Sequence, residues 1–170
     1  EEPSINYGLI FKNFSQKIKD MKVGALSGRH KKDCKAGVAV GLNKGIEDGV
    51  FKHNSFEYEK LACIYEAVFK KYADISKQTE YTPLYYPFFH LHTSDFWNLC
   101  LKTPHSDKFP STISVGWIRN NVEYAYIDPK LWDMLQHKVY RNRLAEFIVD
   151  EEIKTATTRS RSFMRIFLNW

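Results

Sequence analysis

Histidine and cysteine are the side chains here best suited to holding a metal or attacking an electrophile, and they gather in two places. His90 and His92 alternate, with Cys100 and His105 downstream, while His30 stands four residues before Cys34. In an extended segment the alternating histidines would point to one side. Zinc, however, takes four ligands at about 2.0–2.3 Å, usually supplied as short-spaced pairs, and the chain has no CxxC pair. The ordinary reading is of polar or buried histidines and inert thiols, with Cys63 and Cys100 as core residues on helices. A thiol nucleophile at Cys34, beside His30 and Lys35, is the alternative. No catalytic residue, metal ligand or cofactor is assigned on these patterns.

Other chemical signatures are missing. There is no GxxxxGK[ST], no GxGxxG after a strand, no HExxH and no GxSxG, so phosphate-loop, dinucleotide, zinc-protease and serine-hydrolase chemistry have no motif to stand on. Gly37, Gly41 and Gly45 lack the Lys-Ser/Thr pair of a phosphate loop. Asp150, Glu151 and Glu152 form the one acidic run, as a helix-end surface would. What remains is the aromatic stretch Tyr85-Tyr86-Pro87-Phe88-Phe89-His90-Leu91-His92. A tyrosine ring beside a proline ring makes a small rigid apolar recess at low ordering cost. With basic donors at its edge, such a recess suits a polarisable or weakly hydrated group, while a positive surface holds a phosphate backbone. The competing reading is a Tyr-Pro pair that shapes a loop and plugs the core.

Charge bears on the partner. Lys and Arg number 25 against 20 Asp and Glu, giving +5. That balance permits a polyanionic partner without establishing one. Its distribution is more telling. Residues 1–56 hold ten basic and six acidic side chains, 57–101 four and six, and 102–170 eleven and eight. Lys12, Lys17, Lys19, Lys22, Arg29, Lys31, Lys32 and Lys35 face only Asp20 and Asp33, and Lys154, Arg159, Arg161 and Arg165 have no acidic neighbour. Brought together, the two stretches would form one positive face. With 44% apolar and 26% charged residues the chain is neither disordered nor a coiled-coil rod. No apolar run approaches the 18 or so residues of a membrane span. Three cysteines cannot all pair within the chain, which points to a reducing compartment and a cytoplasmic location. The start, Glu1-Glu2-Pro3-Ser4, resembles a cut or processed end, so a fused or separate partner domain is expected.

The elements that must position these residues are mostly helical. Ile5, Leu9, Phe11, Phe14, Ile18 and Met21 predict a helix capped by Ser4. Val38, Leu42 and Ile46 predict another over 35–47, stopped by Asp48-Gly49, with the fourfold-spaced glycines permitting close packing. Asn54 and Glu57 read as a capping box for a helix reaching Lys71 or Tyr72. Residues 73–92 read as an ordered aromatic connection, and Thr93 or Ser94 as the cap of a short helix through Leu101. Ser114–Ile118, a turn at Arg119-Asn120-Asn121, and Val122–Ile127 read as a β-hairpin. In its second strand Val122, Tyr124 and Tyr126 share one side. Asp128-Pro129 then starts a helix whose buried face runs from Leu131 to Ile148, and Phe163, Ile166, Phe167 and Trp170 mark a last helix docked on the body. The predicted class is mainly α with a small β-hairpin (α+β), an arrangement that would suit a compact, winged-helix-like DNA-binding module and would equally suit many other small helical domains.

The chain resembles the sulfur-binding domain of the DNA phosphorothioate-dependent McrA-type restriction endonucleases. The resemblance rests first on Tyr86-Pro87-Phe88-Phe89-His90-Leu91, followed by Phe96-Trp97. It rests next on Ile127-Asp128-Pro129-Lys130-Leu131-Trp132-Asp133-Met134-Leu135 continuing to Arg143-Leu144, and more faintly on Cys34 to Leu61. Together these cover about residues 25–150. Relatives carry His-Lys-Pro where this chain has Cys34-Lys35-Ala36. The resemblance implies binding of duplex DNA in which sulfur replaces a non-bridging phosphate oxygen. It places Tyr86, Pro87 and His90 at the sulfur cavity and the upstream basic contact near Arg29 or His30, with Lys31 and Lys32 beside them. Arg119, at the expected hairpin tip, is a DNA contact on charge and position alone. On this reading residues 1–170 form a single sulfur-binding-like domain, with 1–24 an N-terminal helix and 154–170 a basic C-terminal segment packed on it. No HNH nuclease pattern occurs, so the chain is expected to be a recognition domain of, or partner to, an HNH endonuclease. The alternatives are a general winged DNA- or RNA-binding regulator, a fragment of a metal-dependent nuclease, and a protein-interaction module.

Overall fold

The architecture follows from which apolar stripes find each other. The computed structural model describes residues 4–20, 34–76, 83–103 and 109–153. Its elements are α1 (Tyr7–Asp20), α2 (Cys34–Glu47), α3 (Tyr58–Ser76), α4 (Tyr85–His90), a 3-10 turn at Leu91–Thr93, β1 (Trp97–Leu101), α5 (Val115–Asn121), β2 (Val122–Ile127), α6 (Pro129–Leu135) and α7 (Lys138–Ile153). The class is mainly α with a small antiparallel sheet. The C-terminal segment 154–170 and residues 21–24 of the expected first helix lie outside the described residues.

Helix α2 occupies the centre, packed on α3 and α7. Its glycines explain how. A Cβ at Gly37 would lie 2.7 Å from the Tyr65 ring, and one at Gly45 would overlap Phe51. At Gly41 the nearest atom would stand 3.6 Å away, an ordinary contact. Close approach therefore needs two of the three glycines. Helix α2 ends at Gly49, whose φ of 73° suits a residue without a Cβ.

The sheet differs from the expected hairpin. Strand β2 forms as anticipated, but its partner is β1, which the sequence had suggested to be helical. The register pairs Trp97 with Ile127, Leu99 with Ala125 and Cys100 with Tyr124. The expected first strand is instead helix α5, capped by the Ser114 hydroxyl, which accepts from the Trp117 N–H at 3.2 Å. Helix formation puts Ile118 in the core, 0% exposed. The Asn121 side chain donates to the Trp117 carbonyl at 2.8 Å and closes the helix end. So Arg119-Asn120-Asn121 is a helix end, and consecutive strands do not make a wing. The register shifts between Cys100 and Leu101, leaving Glu123 unmatched between Tyr124 and Val122. This slip turns Val122 into the core, away from the side that Tyr124 and Tyr126 share.

Three further differences follow from tertiary partners. Asn54 does not cap α3. It lies beside β2 like a strand backbone, donating to the Ile127 carbonyl at 2.7 Å and accepting its N–H at 2.9 Å. Phe56 next to it exchanges backbone bonds with Ala125. The long helix expected after Asp128 is broken at Gln136-His137 into α6 and α7. Asp128 and Pro129 do start α6, with the Asp128 carboxylate accepting the Lys130 N–H at 2.8 Å. Finally, Cys63 is exposed on α3, and Cys100 is half-buried on a strand rather than in a helix.

Helices α2 and α7 are joined by a polar clasp that no motif announced. Arg141, 6% exposed, donates to the Asn43 side chain at 3.0 Å, to the Leu135 carbonyl at 2.8 Å and to Glu47. Lys138 also reaches Glu47, at 3.0 Å, and Asn43 donates to Asn142 at 3.0 Å. The Leu135 carbonyl belongs to the end of α6, so one guanidinium satisfies a helix terminus and holds two helices.

Candidate nucleic-acid interface

Tyr86, Pro87 and His90 come together on α4, a single helical turn and a half. The sequence offered no helical period here, because the element is too short to show one and carries a proline. Pro87 is its third residue, where a missing N–H breaks no intrahelical bond. Pro87, Phe88 and Phe89 are buried, and the buried Trp97 indole N–H donates to the Phe88 carbonyl at 2.9 Å. Phe88 also meets Tyr58 edge-on, at 5.2 Å between centroids. The core therefore fixes α4 from below.

Tyr86 and His90, four residues apart, share one side of the turn, with ring centroids 4.3 Å apart. Both are half-buried. Pro87 contributes from beneath rather than as an exposed wall. Burial, and then the neighbouring His92, lower the His90 pKa below its ordinary 6.5. His90 is thus neutral at pH 7, and this side of α4 offers aromatic surface without a charge on the ring.

Beside it lies a second aromatic group. Phe89 meets Phe109 at 5.3 Å, Trp117 at 5.6 Å and His92 at 4.6 Å. His92 Nδ1 stands 2.5 Å from the Phe89 carbonyl. A carbonyl only accepts, so this nitrogen carries the proton. Because residues 90–92 are helical, the two histidines do not project to one side as an extended strand would have arranged. Phe109 is 44% exposed. Trp117 and Phe109 also belong to this surface; the strand-like pattern of 114–118 conceals the place of Trp117 on a helix.

The basic candidates divide. Arg29, His30, Lys31 and Lys32 lie outside the described residues. Arg119 sits in the last turn of α5 and is engaged: its Nε donates to Glu59 at 2.5 Å. Glu59 raises the guanidinium pKa further above its ordinary value. Glu59 lies next to Tyr58, whose phenol pKa is raised by burial and then by that carboxylate. Lys17 is paired with Asp95 at 2.8 Å, and Lys102 donates to the Arg119 carbonyl at 2.7 Å. Among the described residues, no three or more His, Cys, Asp or Glu side chains converge as metal ligands would. Nor is any described helix long and apolar enough to cross a membrane.

No protein-family model and no curated protein matches the chain.

Proposed function

We propose that this chain is a reader of phosphorothioate-modified duplex DNA, with Tyr86 and His90 forming the surface that meets the sulfur. The observation that carries the reading is the Tyr86–His90 ring pair, half-exposed and uncharged, on a turn anchored by three buried residues. Sulfur is larger and less strongly hydrated than oxygen, so moving it from water onto an aromatic surface costs less. A neutral ring beside it adds no charge attraction for the ordinary phosphate oxygen. Discrimination then rests on α4, and general affinity on the basic stretches, Arg29 to Lys32 and Arg119 among them. Nothing in this chain is assigned to strand cleavage; a fused or separate HNH nuclease would supply it. No cofactor is required for such binding, and a cytoplasmic setting follows from the reading.

The test is binding to two otherwise identical short duplexes, one carrying a single stereodefined phosphorothioate, across several flanking sequences. A clear preference for the sulfur duplex is expected, and Tyr86→Ala should remove most of it while affecting plain DNA less. Equal binding to both duplexes would leave a general nucleic-acid module. Equal losses on both in Tyr86→Ala would move the recognition surface away from α4.

A further inference from the structure

The core between α2, α6 and α7 is not filled throughout. Side chains of these helices, with Leu91, Phe96, Trp97 and Ile127, surround a cavity of about 80 Å³. Polar contacts pin its walls. Arg141 holds α7 to α2 through Asn43 and Glu47, and bonds the end of α6 at the Leu135 carbonyl, 2.8 Å away. The Trp97 indole, another part of the lining, is tied to the Phe88 carbonyl at 2.9 Å. Walls fixed in this way resist sliding together over a gap. The lining atoms therefore forgo contacts that an occupant of the right shape would restore.

The chemistry of the lining limits what fits. Asn43 and Arg141 are its polar members, and both are committed to protein partners. The Asn43 carbonyl oxygen accepts from Arg141 at 3.0 Å, and its amide donates to Asn142 at 3.0 Å. A trapped water needs about two to four polar partners, which this lining does not offer. An ion or a sugar would give up its hydration for aliphatic and aromatic surface. Size sets the second limit. The volume is roughly half that of a hydrocarbon-lined cavity of ~150 Å³, which stays dry and takes up benzene or xenon. Among the described lining residues, only Ile18 on α1 and Ala39 on α2 are half-buried; the others are buried. These two stand where the cavity meets the surface. We propose that it is a binding site for a small uncharged apolar molecule of a few carbon atoms, admitted between Ile18 and Ala39. Such binding is independent of what α4 holds.

Xenon is the probe, being apolar, uncharged and small enough for the space. Methyl signals of the full chain are followed by nuclear magnetic resonance under increasing xenon pressure. Saturable shifts are expected at Ile127, Leu131, Leu144 and Ala145, which line the cavity, and none at exposed Val139. Ala39→Leu should plug the opening and abolish those shifts. It lengthens a half-buried side chain, so the circular dichroism spectrum should be unchanged. Should that variant fail to fold, Ile18→Trp places the same plug from the other lip. Cyclopentane should displace xenon, and glycerol at equal concentration should not. Absent or unsaturable shifts in the unsubstituted chain, or shifts that persist in the folded plugged variants, would overturn the proposal. So would displacement by glycerol, or water cross-peaks to the Leu131 and Leu144 methyl groups, since either would make the cavity a wet one.

Discussion

Two arginines separate the two working regions of the molecule. Arg141, between α2 and α7, is almost wholly buried and has every partner it needs from its own chain: Asn43, the Leu135 carbonyl and Glu47. Arg119, near α4, has a half-exposed side chain and pairs with one equally exposed carboxylate, Glu59. A buried guanidinium could not change partners without stranding three groups in low dielectric. An exposed one competes with water already, so trading its carboxylate for a phosphate costs little. The first region holds the fold; the second has charge and aromatic surface that can be redirected to a ligand.

Arg141→Ala should have the largest effect, since it leaves Glu47, Asn43 and a helix-end carbonyl without their shared donor. A loss of about 3 kcal/mol in urea or thermal unfolding is expected, with any folded protein keeping its ligand preference. A neutral result would make the clasp incidental. The Glu47 pKa is lowered, first by the hydrogen bond from Lys138 and also by that from Arg141. Its contribution is therefore complete above the ordinary carboxylate value and lost as pH falls through the lower folded value.

The glycine stripe offers a contrast within one helix. Gly45→Ala should destabilise by about 1–3 kcal/mol through overlap with Phe51, less whatever helix propensity returns. Gly41→Ala has room and should be neutral or stabilising by up to about 1 kcal/mol. Unfolding curves of both variants check the difference, and equal losses would contradict the packing.

The aromatic region should respond to proton concentration in its ligand preference, as the clasp does in its stability. His90 is held neutral, so the sulfur preference should persist at pH 7 and fall as acid drives the pH below 6.5 and through the lowered pKa. Protonation would add charge that favours ordinary phosphate as well. Titrating the ratio of the two affinities tests this, and His90→Gln should flatten it. The smallest effect is expected from Glu59→Gln. It frees Arg119 and should raise affinity for sulfur-bearing and plain duplexes alike by a modest factor, with a slightly steeper salt dependence. A change in preference rather than in general affinity would place Arg119 at the sulfur.

Much of this was readable from residue order. The stripe Val38-Leu42-Ile46, the Asp48-Gly49 stop and the Asp128-Pro129 start report local energetics, and each operates as local rules require. The predicted hairpin failed where those rules were nearly balanced. Ser114-Val115-Gly116-Trp117-Ile118 can be a strand or a capped helix, and Trp97–Leu101 can be either as well. Burial of Ile118 and the Trp97–Phe88 bond tipped the choice, and neither is visible to a short window of sequence. The same applies to Asn54, which has the spacing of a helix cap and the job of a strand neighbour.

For the candidate site, sequence alone determined the composition of α4: a tyrosine, a proline and a histidine whose spacing becomes a shared side once the backbone coils. Tertiary structure alone decided that Pro87 is buried while Tyr86 and His90 remain half-exposed, that Trp117 and Phe109 join their neighbourhood, and that Arg119 is held by Glu59. Residue type and spacing set what a side chain can do. Exposure and partners depend on contacts between segments far apart in the chain, and only packing fixes those.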